Sequence, residues 1–161
     1  MGTTARAVEI FLETKERAEG AIKRSKSENE SKKSIADMEK ALRTRARSVP
    51  ALVLTHGLTS TLAFLCSKAD KDFYNYLMRG VECQKLPGTE EVAYTIYLTM
   101  LVRFLREDLG VVISDEWDGL IRELGGLDGK PQVISAINDV FYEFLLELKR
   151  VAEAALQVEG S

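Results

Sequence analysis

The sequence is poor in cysteine, histidine and proline, and these shortages narrow the range of possible proteins. Its 161 residues include two Cys, one His and three Pro. Cys66 and Cys83 cannot build a disulfide framework, and no Cys-X-X-Cys pair is present. With one histidine as well, a Cys/His zinc site is not expected. Sparse cysteine favours a reducing compartment, so we expect a cytoplasmic protein.

Common catalytic and nucleotide-binding motifs are also absent from the sequence. The sequence has no P-loop, no GxGxxG, no HExxH and no nucleophile elbow. His56 would need a partner nucleophile to act as a general base, so a structural or contact role is expected. Acidic clusters lie at Glu90/Glu91, Glu107/Asp108 and Asp115/Glu116/Asp118. The first and third open predicted helices, where carboxylates are favoured without a metal. We therefore expect no enzyme, no metal and no cofactor.

Neither a secretory leader nor a membrane span is expected. The first residues carry acids where the apolar part of a leader would lie. The longest stretch without Asp, Glu, Lys or Arg is Ser48 to Ser67. It contains Pro50, His56 and Gly57, which indicate a bent, buried hairpin. No contact with a membrane is predicted.

Helical spacing of apolar residues recurs through nearly the whole chain, and strand-like alternation is absent. The sequence predicts an all-α fold, a single compact helical bundle of about six to seven helices in one domain, residues 1–161. Val92 to Val102 is uncharged and apolar on all sides, which places this helix at the centre of the core. Residues 25–33 contain no apolar side chain and predict a mobile polar loop.

Individual residues suggest where the helices begin and end. Ser34 and Asp70 are candidate N-caps for the second and fourth helices. Pro50 indicates a break near the end of the second helix or the first turn of a short continuation to His56, and Gly57 indicates a joint to the third. Residues 125–131, which contain three glycines, predict a turn before a long last helix from about Pro131 to Leu156.

The charge of the chain is unevenly distributed. Its formal net charge is −3, but residues 1–50 carry +4, residues 51–106 carry +1 and residues 107–161 carry −8. Such polarity suits a subunit that meets a polyanion on one face. Two ordinary solvated faces would give the same pattern, and charge alone leaves both interpretations open.

The second predicted helix carries a cationic stripe. At about 100° per residue, Lys33, Lys40, Arg43 and Arg47 fall within about 80° of one another, opposite the apolar face. A stripe of this kind can follow a phosphate backbone without reading bases, although an ordinary amphipathic helix also shows one. Arg45 lies at the edge of the apolar arc, where a cation must reach water or face a partner. Phe73, Tyr74 and Tyr76 could form a stacking face, but their spacing favours core packing.

One segment has a more specific pattern. Residues 45–69, RARSVPALVLTHGLTSTLAFLCSKA, join a basic helix end, a Pro-Ala-Leu turn, a Gly-Leu joint and a Leu-Ala-Phe-Leu helix that closes on Ser-Lys. This segment resembles the small helical subunit of the type III-B CRISPR effector, the Cmr complex. The family usually has Asn before the glycine, and this chain has His56 there. The resemblance is strong over about 25 residues and topological over the rest.

The resemblance implies a function that the residues alone do not. Small subunits of this family stack as a filament of copies beside the other effector-complex subunits, with a basic face along the guide and target RNA, and they are not the nuclease. By family pattern and helical wheel, the expected RNA-binding residues are Lys40, Arg43, Arg45, Arg47 and Lys68. The acidic last third would then face protein or solvent.

Two other classes of function stay open. A helical protein–protein adaptor with no nucleic-acid role would use the apolar seam of the last helix and would show no RNA affinity. A small helical hydrolase would use an acidic cluster with a divalent ion, and a chelator would stop its turnover.

Overall fold

The protein is helical throughout the part that the structure, a computed structural model, describes, which is residues 2–156. Its helices are α1 Thr3–Ser25, α2 Glu28–His56, α3 Leu58–Lys68, α4 Lys71–Arg79, α5 Thr89–Arg103, α6 Trp117–Asp128 and α7 Pro131–Ala155. A π-helix, Phe104–Asp108, continues α5. No strand occurs among the described residues. The all-α prediction, with about six to seven helices, is confirmed.

Helix α5 lies at the centre, as its sequence predicted. From Val92 to Val102 every residue except Tyr94 is buried, and α1, α2, α3 and α4 all pack against this helix. Helix α7 packs against α1 and α2. The rings of Phe104 and Phe144 stack with centroids 4.0 Å apart, which ties the π-helix to α7. An all-apolar helix thus forms the middle of the core because its whole circumference is covered.

The predicted polar loop over residues 25–33 is wrong from Glu28 onward, because α2 begins there. The cap is Ser27, not Ser34: the Ser27 hydroxyl oxygen accepts a hydrogen bond from the Glu30 amide at 3.3 Å. Glu28 and Glu30 add negative charge to the first turn, which favours this end of a helix. Ser31 is buried, so a small polar residue packs where the sequence offered no apolar one.

Pro50 does not break α2, so the first of its two predicted alternatives is wrong. The helix runs through it to His56, and Pro50 itself is buried with its neighbours Val49 and Val53. Proline removes one backbone hydrogen bond, and packing against α5 and α7 holds the helix together across it. The joint at Gly57 is confirmed: its φ of 87° and ψ of 168° end α2 and start α3.

The glycine-rich turn is also shorter than predicted. Helix α6 continues through Gly125 and Gly126 to Asp128 because Leu124 and Leu127 are buried on its inner face. This burial outweighs the low helix propensity of glycine. Only two residues, 129 and 130, separate α6 from α7.

The N-cap of α4 was predicted correctly. The Asp70 carboxylate caps α4 by accepting a hydrogen bond from the Phe73 amide at 2.9 Å. The single tryptophan, Trp117, starts α6: its amide donates to the Asn75 side-chain oxygen at 3.0 Å, and its ring meets that of Tyr74 edge-on, 5.2 Å between centroids. These contacts join α6 to α4.

The uncharged segment Ser48–Ser67 forms the end of α2, the Gly57 joint and most of α3. The Gly57 joint agrees with the predicted bend, but the segment is only partly buried, since Leu54, His56 and Phe64 are exposed. Within the described residues, no helix combines the length and apolar character needed to cross a bilayer.

Candidate nucleic-acid interface

The structure divides the cations of α2 between two sides of the helix. Arg45 and Arg47 lie about 200° apart on the wheel, so they meet different neighbours. Arg45 reaches α5, whereas Arg47 reaches α7. Lys40 is exposed and Arg43 is partly buried on the same helix. Arg45 therefore lies off the stripe of Lys33, Lys40, Arg43 and Arg47, as the helical wheel indicated.

Arg45 is held by an aromatic side chain of the central helix. Its guanidinium donates a hydrogen bond to the Tyr94 hydroxyl and lies over the Tyr94 ring, 4.7 Å from the centroid. A cation over an aromatic face is attracted by the electron density of the ring. This contact explains how an arginine at the edge of the apolar arc is accommodated: it faces a partner.

Lys68 reaches the same place from α3. Its ammonium group lies 5.9 Å from the Phe64 ring centroid, and the Phe64 ring meets that of Tyr94 edge-on at 6.1 Å. Arg45, Tyr94, Phe64 and Lys68 thus form a continuous row, which we call the cation–aromatic surface. Two predicted residues, 23 positions apart in the chain, are connected through two that were not predicted.

The aromatic residues that sequence reasoning considered are not those of the surface. Phe73 and Tyr74 are buried, and Tyr76 packs on Phe73, so core packing was the correct interpretation. Phe64 could have been found from its spacing of four from Lys68, which places both on one side of a helix. Tyr94 had no local signal, because it is 49 positions from Arg45.

On the side of α2 that carries Arg47, an acidic residue of α7 lies close to the helix. The Arg47 Nε atom lies 3.2 Å from a carboxylate oxygen of Glu153 on α7. The acidic last third of the chain therefore packs beside the basic helix, and the charge separation seen in the sequence is partly neutralised by folding. A phosphate that approaches Arg47 would compete with this carboxylate.

One acidic cluster forms ion pairs. Asp108 accepts three hydrogen bonds from Arg6, at 2.7, 2.8 and 3.0 Å, and Glu107 pairs with both Arg6 and Arg103. Burial acts to raise the pKa of Glu107, but hydrogen bonds and attraction from Arg103 and Arg6 outweigh it, so the pKa lies below 4.5. Among the described residues, no three His, Cys, Asp or Glu are grouped as a metal site would require.

The remaining candidate residues lie near α3. His56 is exposed at the end of α2 and lines a groove of about 350 Å³. The groove is also lined by Leu52, Ser60, Thr61 and Phe64. Cys66 is buried, as its position on an apolar face predicted, and burial raises the pKa of its thiol to about 11.

Comparison with protein families now adds to this geometry. A family model described as CRISPR-associated protein (Cas_Cmr5) matches residues 13–155. The chain belongs to the Cas_Cmr5 family. This family is the small subunit of the type III-B Cmr complex, which confirms the resemblance in residues 45–69. No curated protein matches the chain.

The match includes every residue considered above for RNA contact. All five predicted cations, and both aromatic residues of the cation–aromatic surface, lie inside the range shared with the Cas_Cmr5 family. Membership of the family makes the chain a CRISPR-associated subunit of a Cmr complex.

Proposed function

We propose that this chain is a non-catalytic small subunit that lines the guide/target RNA channel of a cytoplasmic Cmr complex through its basic residues. Copies of the chain would stack as a filament beside the other subunits. The contacts would run through Lys40, Arg43, Arg45, Arg47 and Lys68. The observation that carries the proposal is the row in which Arg45 of α2 and Lys68 of α3 meet on Tyr94 and Phe64.

The chemistry of these residues suits RNA phosphates. Arginine and lysine attract phosphate oxygens whatever the base sequence, which is what a subunit serving many guides requires. The net charge of −3 opposes binding by one isolated chain. Repeated copies on one RNA strand would raise the effective concentration of each successive contact, so the affinity belongs to the assembly.

The absence of catalysis in this proposal is supported by how the reactive groups are held. The carboxylates of Glu107 and Asp108 are in ion pairs with Arg6 and Arg103. The thiol of Cys66 is buried and its raised pKa keeps it protonated at neutral pH.

The competing adaptor interpretation loses its proposed interface. The apolar seam of α7 is buried inside the chain's own core, including Phe141, Phe144 and Leu148. It is therefore already covered by α1, α2 and α6 and is not free for a partner.

The test reverses charge at two exposed lysines. A reconstituted complex carrying Lys40→Glu and Lys68→Glu should bind target RNA more weakly, and equally so for unrelated sequences with matched guides. Its log–log salt slope should be shallower by about 0.7–0.9 for each phosphate that the variant no longer neutralises.

The matched control is Lys85→Glu with Lys130→Glu, which changes the net charge equally at exposed positions outside the helices α2 and α3. It should retain affinity and slope within a factor of about two. If the two double variants bind RNA alike, while both complexes assemble fully, the basic residues are only a solvated face.

A further inference from the structure

Phe64 stands out among the aromatic residues. The chain has six Phe, five Tyr and one Trp. Within the described residues, which include all of these, only Phe64 is exposed, with 41% of its surface accessible. Tyr94, with which it makes an edge-on contact, is half-buried. The exposed part of its ring offers a flat apolar surface to a ligand.

Phe64 forms one wall of the groove between the end of α2 and α3. Leu52 adds a second apolar side chain, and Ser60 and His56 add polar groups that can accept or donate hydrogen bonds. A volume of about 350 Å³ is at the small end for ligand sites. The lining is thus a flat apolar ring with polar groups close to it.

Two cations lie close to the aromatic wall of the groove, although neither is part of its lining. Lys68 is one helical turn from Phe64 and lies against its ring, and Arg45 lies against the adjoining Tyr94. A ligand that places an apolar, planar group on Phe64 would therefore hold any attached anion near cations. A nucleotide has this combination: a planar base whose edges form hydrogen bonds, linked to phosphates.

We propose that this groove binds one unpaired nucleobase of RNA, stacked on Phe64, with the adjacent phosphates at Lys68 and Arg45. His56 and Ser60 contact the edge of the base. Stacking on an aromatic side chain tolerates any base, because every base has an aromatic face. The site adds a base contact to the phosphate contacts proposed above and rests on that proposed function.

The charges favour this occupant over a protein segment. A purely apolar groove would suit an apolar side chain. Here Lys68 beside Phe64 and Arg45 beside Tyr94 would repel a basic partner and favour an anion close to the apolar group. RNA supplies both in each nucleotide. A protein partner is an outcome that the experiment can report.

The experiment combines Phe64→Leu with abasic nucleotides in the reconstituted complex. Leucine keeps an apolar side chain and removes the aromatic face. Target RNAs carry one abasic nucleotide at each position in turn. For the wild-type complex, one position per bound copy of the chain should lose about five- to tenfold in affinity. Phe64→Leu removes the ring from every copy, so the intact RNA should bind at least that much more weakly, and the abasic substitution should make no further difference.

Two controls sharpen the result. Phe64→Trp restores a flat aromatic ring and should restore the dependence on the base. Ile113→Ala removes a 78%-exposed apolar side chain in the loop before α6 and should behave as wild type.

The outcomes separate this proposal from the proposed function. If charge reversal at Lys40 and Lys68 weakens RNA binding but Phe64→Leu leaves every abasic effect unchanged, the chain contacts phosphates only and the base site is wrong. If Phe64→Leu no longer enters the complex, while its circular dichroism is that of the wild type, Phe64 contacts another subunit and the base site is equally wrong.

Discussion

Arg47 of α2 and Glu153 of α7 form an ion pair, with 3.2 Å between the guanidinium Nε and a carboxylate oxygen. Both side chains are almost half exposed, at 45% and 41%. An exposed pair of this kind contributes about 0–1 kcal/mol to stability. The pair matters mainly for RNA binding, because the Glu153 carboxylate competes with the RNA phosphate that we propose Arg47 contacts.

Removing the carboxylate should strengthen RNA binding. In the reconstituted complex, Glu153→Gln frees Arg47 and removes a negative charge, so target-RNA affinity should rise by about two- to fivefold at low salt, since a contact to phosphate is electrostatic. Arg47→Gln should lower it. Fluorescence anisotropy with labelled target RNA measures both. An unchanged affinity for Glu153→Gln would mean that Arg47 does not contact RNA.

The buried hydroxyl of Tyr97 should destabilise the fold, so the Tyr97→Phe variant should be more stable than the wild type. Tyr97 is fully buried on α5, and its hydroxyl has no hydrogen-bond partner within the described residues. Tyr97→Phe should raise the free energy of unfolding by about 1 kcal/mol. For a chain of this size the midpoint temperature should rise by about 2–4 °C, measured by calorimetry.

Tyr94 offers the matched control for that variant. It loses the same oxygen in Tyr94→Phe, but its hydroxyl accepts a hydrogen bond from Arg45. This second variant should be neutral or destabilising. Equal shifts for both tyrosines would contradict the two environments described here.

Replacing Gly57 should destabilise the protein because of its positive φ and not because a side chain would collide with neighbouring atoms. A Cβ at Gly57 would meet no atom within 4 Å, yet φ is +87°. Gly57→Ala should cost about 1–3 kcal/mol, measured by urea unfolding. Gly125→Ala also has open space but lies within α6. It should stabilise by about 0.5–1 kcal/mol. A neutral Gly57→Ala would show that the joint does not need its positive φ.

The lowered pKa of Glu107 makes stability depend on pH. Since the folded carboxyl binds a proton less readily than the unfolded one, its contribution is fully present above about pH 4.5 and is lost as pH falls through the lower folded value. Glu107→Gln should therefore reduce the free energy of unfolding at pH 7 and flatten its fall below pH 4.5. Urea unfolding at pH 3, 4, 5 and 7 measures this dependence.

Glu39 supplies a control of opposite sign. Burial raises its pKa above 4.5, against the opposing attraction of Lys15. Its contribution is present below pH 4.5 and is lost as pH rises through the folded value. Glu39→Gln should relieve that loss near neutral pH. If both variants changed the pH profile in the same direction, the ion pairs would not explain it.

Much of the fold could be predicted because some residues have few alternatives. A segment as apolar as Val92–Val102 has to be buried on all sides. Gly57 ends α2 because glycine can adopt a positive φ, and Asp70 starts α4 because its carboxylate caps the helix. Both are properties of single residues, so the sequence reveals them. The polar start of α2 was missed because its helix depends on Ser27 and on packing of Ser31, neither of which hydrophobic spacing reveals.

The candidate site was predicted only in part, for a similar reason. Helical spacing and family pattern identify cations one helix at a time. The groups that connect Arg45 with Lys68 come from packing of α2 and α3 on α5, and Tyr94 follows from no local pattern. The pairing of Arg47 with Glu153 likewise joins residues 106 positions apart.

The single tryptophan gives the protein an intrinsic optical reporter whose location determines what it can report. Trp117 lies against Tyr74 at the junction of α4 and α6, helices that carry none of the five cations. Its emission should therefore follow the separation of α6 from α4 during unfolding. The five cations lie on α2 and α3. A change in that emission on adding RNA would therefore show that binding alters the packing of α4 and α6, which carry none of the proposed RNA contacts.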